Sequence, residues 1–292
     1  MLSKEILKSI RRIQIKTDRA VDDILAGAYH SAFKGRGMEF EDVREYEMGD
    51  DVRNIDWNVT ARMSQAYIKS FREERELTVM LLVDVSSSSC FGTKKRLKKE
   101  LLAEIGALLA FSAIRNNDRV GLILFTDTVE KFLPPGKGLR HVLRVIRELL
   151  VFSPQGAGTD IQEALSFLCK IQKRKGVCFV ISDFMAPDCA HTFALVAKRH
   201  DLISIFTSDP KEEQLPDMGL VTFRDCETGE ETIIDTSVLE LREAFAREAA
   251  DRREKCKKLM QRIDAGFMSI RTDEEHADVI GKYFRLREKR RV

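Results

Sequence analysis

The hydrophobic positions of the chain follow two distinct patterns. Short runs that are apolar at nearly every position occur at residues 77–84, 120–125, 177–182 and 202–206. Such runs are typical of parallel strands that are buried on both faces. Apolar residues spaced three or four apart, as in amphipathic helices, occur at residues 95–116, 139–150, 191–199 and from Thr159 onward. The alternation predicts an α/β fold whose doubly wound, mostly parallel sheet is flanked by helices.

The N-terminal part of the chain has a different character. Residues 3–26 repeat apolar positions at helical spacing, whereas residues 35–62 are polar, contain three glycines and show little periodicity. We therefore expect a helix followed by loops with short extended pieces. The predicted division is residues 1–76, an N-terminal helix and irregular segment packing on the main domain, and residues 77–292, the main domain itself.

A predicted insertion at residues 219–264 interrupts the rhythm of strands and helices. Two short segments, residues 221–224 and 232–234, flank a turn that contains Gly229, and this arrangement indicates a β-hairpin. Ser237 with Glu240 three residues later matches a capping box and predicts the start of a long helix over residues 238–263. Smaller elements complete the prediction: an edge strand near residues 129–133, a last strand over residues 266–271, and a terminal helix capped by Thr272 with Glu275.

Composition narrows the classes of function. The 292 residues carry 49 Lys and Arg against 47 Asp and Glu, a net charge of +2, which does not favour nucleic acid as a partner. The longest apolar stretch, near residues 101–113, is too short to cross a bilayer, and the N-terminus lacks the apolar core of a secretory signal. We therefore expect a cytoplasmic protein without membrane insertion. The six cysteines contain no C-x-x-C pair, which favours reduced thiols.

Candidate chemistry lies where the predicted strands end. Asp84, Ser86 and Ser88 follow the first buried strand, Thr159 precedes a helix, and Asp183 follows the strand at residues 177–182. Ligands of open α/β sheets bind at the carboxyl ends of the strands, so these oxygens are expected to converge. A site made only of oxygen ligands suits a hard cation such as Mg²⁺ or Mn²⁺. Each piece alone also fits an ordinary turn, helix cap or strand end.

This combination resembles the von Willebrand factor A domain, a Rossmann-type fold, and its metal-ion-dependent adhesion site. In that family a D-x-S-x-S loop, a threonine on a second loop and an aspartate on a third hold one divalent cation. The resemblance implies that Asp84, Ser86, Ser88, Thr159 and Asp183 bind Mg²⁺, or Mn²⁺ or Ca²⁺, with an open position for an acidic residue of a partner protein. It also implies a protein-interaction module that is not an enzyme.

The N-terminal part contains a second resemblance. Its residues are Gly35-x-Gly37-x-Glu39-Phe40, Arg44-Glu45-Tyr46-x-x-Gly49-Asp50-Asp51-x-Arg53-x-Ile55-Asp56-Trp57 and Ala61-Arg62. They look like the signature of the bacterial domain of unknown function 58 family, which joins such a segment to a von Willebrand A-like domain. That resemblance implies action with a MoxR-type AAA+ ATPase in assembling or activating other proteins. Ser89-Cys90 departs from the methionine often found after the last serine of the loop.

The charged residues of this signature allow two interpretations. Ion pairs across short loops would dock the segment on the main domain, with Trp57 as an apolar anchor. Alternatively, the segment is a partner-binding face.

The competing function is a metal-dependent phosphotransferase of haloacid-dehalogenase type, because that fold also places an aspartate after its first parallel strand. Its chemistry requires a second aspartate two residues later as acid and base, and here that position is Ser86. No G-x-x-x-x-G-K-[ST] string supports nucleotide binding. The sequence predicts neither an oligomeric state nor the identity of the client protein.

Overall fold

A computed structural model of the chain describes residues 11–13, 15, 17, 20–21, 28–33, 39–63, 65–72, 76–92, 96–186, 189–225 and 229–291. These residues form two compact units. The main unit combines the described residues of Met1–Phe33 with Leu77–Val292, and the second unit is Lys34–Glu76. The described residues before Lys34 therefore cluster with the main unit, whereas the sequence grouped this part of the chain with the signature segment.

The main unit is built on a six-stranded sheet. Its strands are β3 (Thr78–Asp84), β4 (Arg119–Phe125), β5 (Val129–Gly136), β6 (Val177–Ser182), β7 (Asp201–Ser208) and β10 (Gly266–Arg271). The order across the sheet is β10-β7-β6-β3-β4-β5, and only the edge strand β5 is antiparallel to its neighbour. Strand order therefore reverses between β3 and β6. This topology confirms the predicted doubly wound, mostly parallel sheet.

Helices cover both faces of this sheet. In chain order the helices of the main unit are α1 (Ala28–Phe33), α3 (Lys98–Arg115), α4 (Gly138–Val151), α5 (Ile161–Ile171), α6 (Ala190–Arg199), α7 (Pro210–Glu213), α8 (Leu239–Arg262) and α9 (His276–Arg291). Alternate residues of β3 explain the two layers. Leu81 packs with α1, α3, α4 and α9, whereas Leu82 packs with α5, α6 and α8. Every residue of β6 is buried, as expected for a central strand.

The predicted insertion is present, with a different helix start. β8 (Leu220–Arg224) and β9 (Glu231–Asp235) form the antiparallel hairpin, and α8 follows. The predicted cap is wrong, because the Ser237 hydroxyl donates to Asp235 Oδ1 at 2.6 Å and Val238 is the N-cap without a side-chain hydrogen bond. The exposed carboxylate at the end of the hairpin competes successfully for that hydroxyl.

The second cap prediction also involves a competing carboxylate. The Thr272 hydroxyl donates to Asp209 Oδ2 at 2.6 Å, and α9 begins four residues later at His276. Thr272 thus connects the end of β10 to the loop after β7. Most of the predicted first helix at residues 3–26 lies outside the described residues, although Ile13 and Val21 are buried in the main core.

The second unit is small and rich in ion pairs. It contains β1 (Glu39–Glu45), β2 (Tyr67–Arg72), a 3₁₀ turn (Val52–Asn54) and α2 (Trp57–Thr60), and β1 pairs antiparallel with β2. Arg44 contacts Asp50 at 2.6 Å, Arg53 contacts Asp51 at 3.3 Å and Lys69 contacts Asp56 at 3.6 Å.

Two of these aspartates also organise the local backbone. Asp51 and Asp56 accept backbone N–H groups as N-caps of the 3₁₀ turn and of α2. Trp57 is 70% exposed, so it is not a core residue of its own unit. Docking of this segment on the main domain stays a prediction.

Candidate metal site

Two predicted site residues meet at the point where strand order reverses. Asp84 is the last residue of β3, and Asp183 directly follows β6, the neighbouring parallel strand. Both carboxylates are almost completely buried. Because the crossovers leave β3 and β6 in opposite directions, their carboxyl ends form the crevice in which open α/β sheets bind ligands.

Asp84 is held by donors from both strands. Its Oδ1 accepts the Ser86 N–H at 3.0 Å, and its Oδ2 accepts the Ser182 hydroxyl at 2.6 Å. Burial, followed by the nearby negative charge of Asp183, raises the pKa of Asp84 from 3.8 to about 6, although the hydrogen bonds oppose this shift. The negative charge on Asp84 is therefore incompletely compensated by the protein.

The serine hydroxyls lie between the two carboxylates. Ser86 Oγ and Ser88 Oγ are 3.1 Å apart, and the Ser88 hydroxyl is hydrogen-bonded to Asp183. Asp183 Oδ1 also accepts the Met185 N–H at 3.2 Å. The structure thus brings Asp84, Ser86, Ser88 and Asp183 into one cluster.

Thr159 lies in a loop that is hydrogen-bonded to the serine loop. The Ser87 N–H donates to the Ala157 carbonyl at 3.1 Å, two residues before the buried Thr159. The Asp160 N–H donates to the Thr126 carbonyl at 2.8 Å. These two bonds fix the loop beside the serine loop, and a direct part of Thr159 in metal binding stays a prediction.

Glu130 anchors the same loop and was not identified from the sequence. Its Oε1 accepts the N–H groups of Gln155 at 2.9 Å and Gly156 at 2.7 Å. An added Cβ at position 156 would lie 2.0 Å from Asp127 Oδ1 and 2.4 Å from Thr126 Oγ1, so any other residue there would force these side chains to move. The glycine itself is visible in the sequence, but the partner 26 residues away is not.

Lys98 is the second residue that sequence reasoning missed. It is the first residue of α3 and is 2% exposed. Its ammonium group donates to Asp183 Oδ2 and to Glu212 Oε1, both at 2.8 Å. Burial alone would raise the pKa of Asp183, but Lys98 and the hydrogen bonds lower it overall. The two carboxylates of the site therefore have opposite pKa shifts.

The arrangement of oxygens fits a divalent cation. Two carboxylates and two hydroxyls face one another. Burial and repulsion by Asp183 disfavour the negative charge of Asp84, so a nearby positive charge would stabilise it. Among the described residues, no group of three or more His, Cys, Asp or Glu side chains has the spacing of a metal site. A cation here would be held by the two carboxylates together with hydroxyl and water ligands, and its binding stays a prediction.

A small pocket adjoins Asp183. Its lining includes Asp183, Ser208, Glu212 and Arg252, the last from α8 of the insertion. The Arg252 Nε is buried and has no hydrogen-bond partner among the residues that the structure describes. An arginine donor beside the carboxylates is a feature that could bind an anionic group.

The structure also bears on the competing functions. Ser86, at the position where a haloacid-dehalogenase-type enzyme needs its second aspartate, is completely buried and hydrogen-bonds within the loop. In the described part of the chain, no helix is both long and apolar enough to span a membrane.

Two solved structures show a distant resemblance to this chain. The conserved hypothetical protein BatB from Bacteroides thetaiotaomicron is 18% identical with a TM-score of 0.47, covering 73% of this chain and 99% of that chain. The SpRpn10 VWA domain is 12% identical with a TM-score of 0.39, covering 70% and 94%. Both TM-scores are below 0.5, so the fold is established by this chain's own sheet topology.

Sequence comparisons are more informative. The family model described as "Protein of unknown function DUF58" matches residues 42–255. An uncharacterized protein of Mycobacterium tuberculosis (strain ATCC 25618 / H37Rv) is 30% identical over 282 residues, which covers 94% of this chain and 88% of that protein. The uncharacterized protein YeaD of Bacillus subtilis (strain 168) is 25% identical over 173 residues, covering 59% of this chain and 40% of that protein. The chain therefore belongs to the DUF58 family of proteins of unknown function.

Proposed function

We propose that this protein is a non-enzymatic, metal-dependent protein-interaction module. In this proposal Asp84, Ser86, Ser88, Thr159 and Asp183 hold one Mg²⁺, or Mn²⁺ or Ca²⁺, and the metal accepts an acidic residue of a partner protein. The partner is a MoxR-type AAA+ ATPase or a client protein that the two assemble or activate together. The site of action is the cytoplasm.

The observation that carries this proposal is the meeting of two buried carboxylates and two serine hydroxyls at the reversal point of the sheet. Asp84 and Asp183 repel each other across the serine pair. Purely structural carboxylates are normally neutralised by their neighbours, whereas Asp84 keeps a pKa raised to about 6. A metal ion would supply the missing charge.

The donor set supports an open binding position. Neutral hydroxyl ligands remove little of the charge of a divalent cation, so the bound ion would remain a strong electrophile for an incoming carboxylate. The protein's own residues would orient that carboxylate. Arg252 lines the pocket beside Asp183, and its Nε, which has no hydrogen-bond partner in the described part of the chain, could donate to the second carboxylate oxygen.

The test is a binding measurement between the purified protein and the MoxR-type ATPase encoded in the same genome. We expect binding in Mg²⁺, loss of binding in EDTA, and recovery when Mg²⁺ is returned. Asp84→Ala is expected to lose at least about tenfold in affinity, because it removes one of the two buried carboxylates proposed to hold the metal. Circular dichroism would check that the variant is folded.

The matched control is Asp235→Ala, which removes an aspartate that ends a strand of the exposed hairpin. Its binding should equal that of the parent protein. Binding that ignores EDTA, or that survives Asp84→Ala unchanged, would contradict the proposed mechanism.

A further inference from the structure

Lys98 presents an unusual arrangement of charge at the candidate metal site. Its ammonium group lies between Asp183 and Glu212, 2.8 Å from an oxygen of each. The side chains of Lys98 and Asp183 are 2% and 6% exposed, and that of Glu212 is 20% exposed. A cation of the protein itself therefore already contacts one of the two carboxylates that would bind a metal.

Two physical costs oppose a lysine at this position. Burial disfavours the charged amine, and the N-terminus of a helix disfavours cations because its free N–H groups are positive. Lys98 is both buried and the first residue of α3. Among the described residues, Asp183 and Glu212 are the carboxylates that pair with this amine and offset these costs. The ammonium group is thus a positive charge that the protein holds at the site.

We propose that Lys98 is a built-in competitor of the metal, a tethered cation that occupies Asp183 when no metal is bound and sets a weak, readily reversible metal affinity. This inference rests on the proposed metal-binding function. It assigns to this chain a regulator of that site, so that metal uptake and loss can accompany partner binding and release.

The geometry explains the competition. Asp183 Oδ2 accepts a hydrogen bond from the ammonium group of Lys98. This oxygen is therefore less available to a metal or to a metal-bound water. Two positive charges a few ångströms apart also repel each other, most strongly in a buried site. Removing the lysine charge should therefore tighten metal binding, although it costs stability when no metal is present.

Glu212 provides the second position for the amine. Its Oε2 accepts the Asp209 N–H at 3.0 Å in a capping box, which keeps Oε1 directed to Lys98. When a metal binds Asp183, the ammonium group can keep this bond to Glu212. Glu212 is therefore a positioning residue that makes release of Asp183 possible.

The test is calorimetric titration of the metal-free protein with Mg²⁺ and Mn²⁺. Lys98→Met, which keeps most of the side-chain volume without charge, should bind either metal at least about tenfold more tightly than the parent. Lys98→Arg keeps the charge and should bind no more tightly than the parent.

The matched control is Lys99→Met. Lys99 is the adjacent lysine, and its amine donates to the Phe152 carbonyl at 2.8 Å. Removing this charge from the same end of α3 should change metal affinity by less than about twofold, because Lys99 bonds neither carboxylate.

A second variant keeps the inference testable if Lys98→Met does not fold. Glu212→Gln removes one of the two anions around Lys98, so the amine should hold Asp183 more firmly and metal affinity should fall by about threefold. Unchanged affinity in a folded Glu212→Gln protein would contradict the inference.

Different outcomes separate this inference from the function on which it rests. If metal binding by the parent depends on Asp84 and Lys98→Met binds equally tightly, Lys98 does not compete with the metal, whereas the proposed metal site is supported. If neither protein binds metal, both are wrong. If Lys98→Met binds metal and the parent does not, Lys98 competes so strongly that it prevents metal binding by the parent.

Discussion

Two buried aspartates at the same edge of the sheet look alike locally and differ in what surrounds them. Asp84 ends β3, and Asp209 follows β7. Each accepts a buried hydroxyl at 2.6 Å, from Ser182 and Thr272 respectively. Each also accepts a backbone N–H at 3.0 Å. Their immediate hydrogen bonds therefore do not distinguish them.

Asp84 and Asp209 differ in the charges and dipoles that surround their carboxylates. Asp209 caps α7, where the helix N-terminus favours a carboxylate. Asp84 instead faces a second carboxylate, and its pKa is raised to about 6 by burial and by that neighbour. Asp209 thus acts as a helix cap, whereas the facing pair Asp84 and Asp183 at the reversal point forms a candidate site.

The largest expected effect is on the structural aspartate. Asp209→Ala removes the cap of α7 and the carboxylate that accepts the Thr272 hydroxyl, so the free energy of unfolding should fall by about 3 kcal/mol. Urea denaturation measures this change. The variant should still bind one equivalent of Mg²⁺, and loss of metal binding in a folded variant would show that Asp209 also belongs to the metal site.

The opposite change in stability is expected at the candidate site. The pKa of Asp84 is higher in the folded than in the unfolded protein, so folding takes up protons between about pH 4 and pH 6 and stability falls as pH rises through that window. Asp84→Asn removes the buried charge and should stabilise the metal-free protein at pH 7.5 by about 1–3 kcal/mol. Urea denaturation in EDTA at pH 4.5 and pH 7.5 would test it, and a variant less stable than the parent at pH 7.5 would refute it.

The two hydroxyls provide a matched pair of substitutions. Ser182→Ala and Thr272→Val each remove one buried donor to a carboxylate and should each cost about 1–2 kcal/mol of stability. Only Ser182→Ala should also weaken Mg²⁺ binding, by about tenfold, because its hydroxyl orients Asp84. Equal metal affinities in the two variants would contradict the prediction that Asp84 binds metal and Asp209 does not.

The smallest effect is expected from the loop anchor. Glu130→Ala removes the acceptor of the Gln155 and Gly156 N–H groups and loosens the loop that carries Thr159. Mg²⁺ affinity should fall by about threefold in calorimetry, since such a change acts only through ligand positioning. An unchanged affinity would remove Thr159 and its loop from the site.

Sequence reasoning succeeded where the signal was local and repeated. The apolar runs predicted β3 and β6, and the observed strands agree within a residue or two. Because parallel strands end at one edge, the positions of Asp84 and Asp183 followed from the strand order. Long, strongly patterned elements were therefore predictable, together with the carboxylates at their ends.

Contacts between distant parts of the chain were not predictable. Residues 94–99, KKRLKK, resemble an ordinary solvated basic run, yet Lys98 is buried against residues 85 and 114 positions away. Ser237 and Thr272 have the spacing of helix caps, but nearby carboxylates capture their hydroxyls. Periodicity carries no information on such competition, because it depends on the tertiary structure.

We propose that the facing carboxylates bind a divalent metal and that Asp209 does not. Calorimetric titration of Mg²⁺ into the parent protein, Asp84→Asn and Thr272→Val tests this proposal. We expect one equivalent bound by the parent and by Thr272→Val, and no binding by Asp84→Asn. Metal binding by Asp84→Asn at the affinity of the parent would contradict it.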